Sequence, residues 1–227
     1  GIPHDYLKIH ISYTTLMINL HHNEHNITVF EKMPVHVPNM AMINAVSKLT
    51  WRAFERHYSL TTYEKLIAKL DSTIPVYPDW VKGIACALGS AGLAFLYSGD
   101  IIAFMVTIIC SLIGYFGRTL SVRFGCNEYV GITIGGFAAM VSAYGFYSHI
   151  EQDSLVYVLV CCTLFMIPGV PLINSVIDTI NNHILSGITR AIRTILIVGS
   201  MTLGMAMALY FNPMPAFSFV DIKPYVL

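Results

Sequence analysis

Five long apolar runs crowd the sequence after residue 79, and they constrain the fold more than any other feature. Trp80–Tyr97, Ile101–Leu120, Tyr129–Tyr147, Leu155–Ile173 and Gly187–Phe211 each come close to the about twenty mainly apolar residues that a bilayer-crossing helix needs. Charges or turn residues separate them: Gly99-Asp100, Arg118 to Glu128, His149 to Asp153, and Asn174 to Ser186. Trp80, Tyr97, Tyr129, Tyr147 and Phe211 fall near the run ends, where interfacial aromatics belong. Only 11% of the 227 residues are charged, against roughly a quarter in a soluble domain. So little charge cannot coat a water-soluble globule.

The charge is also unevenly placed. Residues 1–79 hold seven Lys/Arg and seven Asp/Glu, whereas the following 148 hold six of each. The boundary falls at Tyr77-Pro78-Asp79-Trp80. The expected fold class is therefore a polytopic α-helical membrane protein: a small α+β domain, residues 1–78, then five transmembrane helices within residues 79–227. Zero net charge gives no electrostatic case for a nucleic-acid partner. The chain opens on Gly1 rather than Met, which suggests a trimmed start, and shows no signal-peptide pattern.

In the first domain, Leu7–Ser12 alternates apolar and polar residues like a half-buried strand. Thr15–His21 and Asn26–Glu31 are β-branched-rich strand candidates, joined by a hairpin turn over His22-Asn23-Glu24-His25. From Asn39 the period becomes helical, with Ile43, Val46, Leu49, Ala53 and Phe54 on one face. Thr61-x-x-Glu64 predicts a capping box for a second helix striped by Tyr63, Leu66, Ile67 and Leu70. His21, His22, Glu24, His25 and His36 have metal-ligand chemistry. Adjacent strand residues point to opposite faces, so a solvated hairpin tip is the preferred reading and no metal is assigned. Five cysteines show neither zinc spacing nor a disulfide framework, and Cys161-Cys162 reads as two small apolar residues.

Lys/Arg placement orients the spans. Arg118 and Arg123 mark the second-to-third loop, and Arg190 and Arg193 the fourth-to-fifth region. The other two loops carry Asp100, Glu151 and Asp153 without a cation. The positive-inside rule then puts the N-terminal domain in the cytoplasm and the C-terminus outside. Ala85/Gly89, Gly131/Gly135 and Ser200/Gly204 have the spacing of close helix packing, within the chain or against another subunit.

Ile167-Pro168-Gly169-Val170-Pro171 interrupts the fourth run. Neither proline continues an ordinary helix, and a break at membrane depth must be buried in protein or line a wet cavity. Transporters use such breaks to turn free backbone groups toward cargo. Beyond it, Ile173, Val176, Ile177, Ile180 and Ile184 form an apolar stripe, and Asn174, Asp178, Asn181 and Asn182 a polar one. Asn174 and Asp178 are one turn apart and able to meet one ligand. An interfacial amphipathic helix with a solvated Asp178 fits the same pattern. Arg190 and Arg193 fit snorkelling, and Arg190 also fits a pair with Asp178 or an anionic cargo. Pro168, Gly169, Pro171, Asn174, Asp178 and Arg190 are the candidate pathway residues. No charge is expected at mid-span, where one costs about 2.5–3.5 kcal/mol; either Asp178 or Glu128 enters from a span end, or a partner chain supplies the charge.

Pro168-Gly169-Val170-Pro171-Leu172-Ile173-Asn174, with Asp178, Gly187 and Arg190 downstream, resembles the signature of the bacterial threonine/serine exporter family. Asn39 opening a helix, Ser59-Leu60 starting the next and Tyr77-Pro78-x-Trp80 before the first span are similar as well, so the resemblance spans the chain. It implies the larger, head-bearing subunit of the split form of that family, in the bacterial cytoplasmic membrane. It further implies a hetero-oligomer with a smaller membrane subunit, and export of a small carboxylate-bearing metabolite, threonine- or serine-like or a C4 dicarboxylate such as succinate. A family helix expected ahead of Gly1 is missing. No cofactor is implied. The chain lacks a P-loop and the zinc-protease or paired-aspartate motifs of an intramembrane enzyme, so a non-enzymatic secondary exporter subunit is expected. The competing reading is a non-transporting sensor or assembly subunit with a ligand-binding head.

Overall fold

The computed structural model describes residues 6–11, 15–22, 25–32, 39–74, 77–98, 100–150 and 152–212. The chain divides into two compact units, Gly1–Tyr77 and Pro78–Leu227. The boundary lies one residue before the one expected from the charge distribution.

In the first unit, β1 (Tyr6–Ile11), β2 (Thr15–His22) and β3 (His25–Lys32) form an antiparallel sheet in the order β1-β2-β3. Ile9 pairs with Ile18 and Ile18 with Val29, while Leu7, Leu20 and Ile27 align in a second row. This register puts the aliphatic residues of all three strands on one face. Lys8, His10, Asn19 and Thr28 lie on the other, where Asn19 donates to Thr28 Oγ1 at 2.8 Å. His22 pairs with His25 across the expected hairpin; Glu24 and His36 lie outside the described residues.

Two helices complete this unit. The first, α1 (Met40–Arg56), starts at Asn39, whose side chain accepts from the N–H of Ala41 and Met42. The second, α2 (Leu60–Thr73), begins before the expected Thr61 capping box, at the Ser59-Leu60 start that the family resemblance implies. Ser59, not Thr61, is its N-cap and accepts from the Thr62 N–H. Ser59 holds the extended backbone conformation that a cap needs, whereas Thr61 is already inside the helix.

The second unit is helical: α3 (Asp79–Ser98), α4 (Ile101–Arg123), α5 (Glu128–Gly145), α6 (Gln152–Cys161), α7 (Gly169–Ile180) and α8 (Ile184–Phe211). Asp100 caps α4 by accepting from the Ile102 N–H at 2.8 Å and from Ala103. Asn127 caps α5 through the Tyr129 N–H. Gly125, at φ +88°, supplies the left-handed turn between them. The expected loop from Arg118 to Glu128 therefore shrinks to four residues, and Arg118 lies inside α4.

Small residues set the packing. Ala87, Ala91 and Ala94 bury one side of α3 beside α4, which in turn packs on α5. Gly114 and Gly135 meet so closely that a Cβ on Gly135 would lie 2.8 Å from the Gly114 carbonyl oxygen. Gly136 approaches the Met201 backbone of α8, and a Cβ on Gly204 would lie 3.0 Å from the Phe137 nitrogen. Around these contacts cluster Cys110, Ala139, Met140, Leu155, Val158, Leu159 and Cys162. Of the three small-residue pairs, Gly131/Gly135 and Gly204 are used within the chain. Gly89 faces outward, and a Cβ added to it would meet nothing within 4 Å.

Asp79–Ser98, Ile101–Arg123 and Ile184–Phe211 are long and apolar enough to cross a bilayer, and Ser154–Met166 with Gly169–Ile180 adds a bent fourth candidate. The fifth expected span, α5, does not reach the same standard. Its 18 residues extend about 27 Å, and Glu128 and its glycines lower its hydropathy. The apolar windows of the three straight candidates are only 28–33% buried. Lipid-facing helices have this character, apolar outside as well as inside.

Candidate functional site

The helix break is wider than the two prolines suggest. Helix α6 stops at Cys161, seven residues before Pro168, and a 3₁₀ turn follows at Leu164–Met166. Side chains hold this unwound stretch. Ser111 Oγ donates to the Cys162 carbonyl at 3.3 Å, and Thr163 Oγ1 donates to the Val160 carbonyl at 3.1 Å. Cys161 and Cys162 are 2% and 0% exposed, so the break lies inside protein. The two segments meet at a 62° bend.

Pro171 is not the breaker. Pro168 is the N-cap of α7, Gly169 its first residue, and Pro171 lies in its first turn. At that position a missing N–H interrupts no hydrogen bond, because first-turn donors have no partner within the helix. The prolines thus start the second segment, while the end of α6 is set by the side-chain bonds upstream.

Helix α7 turns half of the expected polar stripe inward. Asn174 and Asp178 are half-buried and Ser175 is buried, whereas Ile173, Val176, Ile177 and Ile180 are exposed, as are Asn181 and Asn182 beyond the helix end. This is the reverse of a helix on a water-soluble core, and it suits an apolar surrounding. After a short turn, with Asn182 at φ 63°, α8 returns along α7. Gly187 permits the close return: a Cβ there would lie 2.9 Å from the Ser175 carbonyl oxygen and 3.0 Å from the Thr179 nitrogen.

The hairpin brings Asp178 and Arg190 together. Arg190 Nε lies 3.2 Å from Asp178 Oδ2. Both atoms are buried, yet neither makes an aligned hydrogen bond. The contact is an ion pair held by charge alone, without the directional bond that strengthens such pairs. The structure therefore unites two of the six candidate residues directly. Asn174 shares their face but does not join the pair, and Pro168, Gly169 and Pro171 shape the start of the helix that carries Asp178.

A second charge centre forms at Glu128, the other acid able to enter from a span end, with arginine partners that were not expected. Glu128, at the start of α5, accepts from Arg193 of α8 at 3.0 Å and from Arg118 of α4 at 3.5 Å. Arg193 is thus a packing cation rather than one extended to the membrane surface. Its spacing from Arg190 was visible in sequence; its distant partner was not. Thr194 was missed too, because one threonine in an apolar helix carries no sequence signal. It is 3% exposed, and its Oγ1 has no hydrogen-bond partner. A separate groove of about 440 Å³, lined by Trp80, Phe116 and Leu120 with Asp79 and Arg123 at its polar edge, contains none of the hairpin residues. Among the described residues, no three His, Cys, Asp or Glu side chains are grouped to hold a metal ion.

Comparison with known proteins supplies a family. The model of the family described as "Putative threonine/serine exporter" matches residues 4–212. The chain is 23% identical over 180 residues to a protein of Klebsiella aerogenes named "Probable succinate transporter subunit YjjP". It is 24% identical over 173 residues to the Escherichia coli K12 protein of the same name. Each alignment covers 75% of this chain and 66% of the relative, so the chain spans just under two-thirds of their length. No solved structure matches.

Proposed function

We propose, from the premise that this chain belongs to the threonine/serine exporter family, that it is one subunit of a secondary exporter for small carboxylate-bearing metabolites. The observation that carries the reading is the bent segment, whose second half turns Asp178 inward onto Arg190. A buried charge pair beside an interrupted helix is what a pathway for a charged solute requires. The cargo is a hydroxy amino acid of the threonine type or a C4 dicarboxylate, the latter suggested by the relatives' name.

In this reading α5 is a fifth span, buttressed on both sides. The arginine-rich turns face the cytoplasm with the first unit, and the C-terminus lies outside. Residues 1–78 form the cytoplasmic head and residues 79–227 the membrane domain. The name "subunit" borne by the relatives, and the large unburied surface of α3 and α8, support a smaller membrane partner that completes the pathway. Pro168, Gly169, Pro171, Asn174, Asp178 and Arg190 belong to that pathway.

Reconstitution of the chain with its partner in proteoliposomes tests this. Outward flux of labelled threonine or succinate is expected, and Asp178→Asn reduces it by tenfold or more, a change of about 1.4 kcal/mol or greater, while both subunits still co-purify. Absence of flux for amino acids and dicarboxylates with both subunits present would reject the reading. Undiminished flux in Asp178→Asn would remove Asp178 from the pathway.

A further inference from the structure

Three buried polar atoms on one helical hairpin lack a hydrogen bond: Asp178 Oδ2, Arg190 Nε and Thr194 Oγ1. Thr194 is the anomaly. Other threonines of the membrane helices return their proton to the carbonyl one turn back: Thr107 to Ala103, Thr119 to Tyr115, Thr133 to Tyr129 and Thr202 to Val198. The Arg190 carbonyl stands in the same relation to Thr194, yet Thr194 does not bond to it. Its hydroxyl is left buried and unsatisfied. A buried hydroxyl without a partner is destabilising, and valine would fill the same volume without that cost.

Position gives the hydroxyl a purpose. Residues 190 and 194 are one turn apart on the buried stripe of α8, which continues through Ile197 and Met201. Helical side chains lean toward the N-terminus, so Thr194 lies over the turn that carries Arg190. The two groups are both donors. Asp178 occupies the acceptor position beside Arg190 without aligning to it and leaves Thr194 unused.

We propose that Arg190 Nε and Thr194 Oγ1 form the seat for a carboxylate of the transported molecule, and that Asp178 occupies that seat in the empty state. The inference rests on the exporter reading. The arriving carboxylate accepts from both donors and displaces Asp178 from Arg190. The exposed parts of Arg190 and Asp178, 33% and 22% of their side chains, give it an approach, and Thr194 is the buried donor one turn further along α8. Asp178, once released, accepts from a cargo ammonium where there is one; a dicarboxylate offers no such group and meets a second negative charge.

Binding and flux of the two-subunit complex, with L-threonine and succinate as separate probes, test the seat. Thr194→Val removes the hydroxyl at constant shape, and Thr194→Ser keeps it. Thr194→Val weakens binding of the transported probe about tenfold or more, the loss expected for a hydrogen bond to a charged group, and Thr194→Ser restores most of it. Without ligand, Thr194→Val melts no lower than the unaltered protein, because it deletes an unsatisfied group. Asp178→Asn shifts the threonine-to-succinate binding ratio toward succinate. Unchanged binding of both probes by Thr194→Val would overturn the seat and leave the exporter reading standing. So would a lowered melting temperature of ligand-free Thr194→Val, which would mark a structural role. If the unaltered complex moves neither probe nor any other small carboxylate, the exporter reading fails and the seat fails with it.

Discussion

Gly187 and Gly89 show how differently two glycines in apolar helices are constrained. At Gly187 a methyl group would collide with the backbone of α7 at Ser175 and Thr179, and backbone cannot yield as a side-chain tip can. Gly187→Ala should cost about 1–3 kcal/mol by overpacking, read as a lower melting temperature in detergent. Gly89 meets nothing, so Gly89→Ala should gain up to about 1 kcal/mol of helix propensity. Glu128 carries a different constraint, since one carboxylate serves two arginines that are 25% and 32% exposed. Glu128→Gln removes the negative charge that the two half-buried cations share. The expected loss is about 1–3 kcal/mol, between exposed and buried pairs, measured by the same melt.

At the scale of the element, sequence period and caps located most helices and all three strands. Asn39 announced its helix because short polar side chains bond locally to free N–H groups; Asp100, read only as a boundary between spans, caps α4 in the same way. The misreadings have physical causes. Thr61-x-x-Glu64 has the capping-box pattern, but Ser59 reaches the extended conformation two residues earlier and captures the start. The end of α6 was invisible because Ser111, which donates to the freed carbonyl, is 51 positions away from Cys162. Pro171 drew notice as a breaker, although its place in the first turn makes it harmless. Pro171→Ala should therefore change stability by less than about 1 kcal/mol. Ser111→Ala, which strips the Cys162 carbonyl of its donor, should cost about 1–3 kcal/mol, and thermal melts of the two variants compare them directly. The Asp178–Arg190 pair was partly legible from a short loop that lets the chain fold back. Thr194 and the Glu128 centre depended on tertiary contacts alone.

At the scale of the whole molecule, orientation has a built-in reporter. Cys126 is exposed at the α4–α5 turn, whereas Cys110, Cys161 and Cys162 are buried. The proposed orientation puts this turn in the cytoplasm, so an impermeant maleimide should label Cys126 in inverted vesicles and leave intact cells unlabelled. Labelling of intact cells would reverse the assignment. Ala85 and Gly89 on the outward side of α3 give the proposed partner a surface on which backbones approach closely. Gly89→Leu should leave the melting temperature of the lone chain no lower than before and reduce co-purification of the partner severalfold.

The distribution of ties also divides the membrane unit mechanically. Helices α4, α5 and α8 share Glu128, and α5 and α8 add the Thr133–Ser200 hydrogen bond. In the exporter reading they form a chassis. Helix α7 is fastened to α8 by close glycine packing and one misaligned ion pair, with an unwound stretch at its other end. In the same reading it is the moving arm. A disulfide engineered between positions 133 and 200 would clamp parts that already travel together, and flux should persist. A reducible crosslink that joins α7 to α8 away from the crowded Gly187 would lock the arm to the chassis, and flux should stop until a reductant frees it.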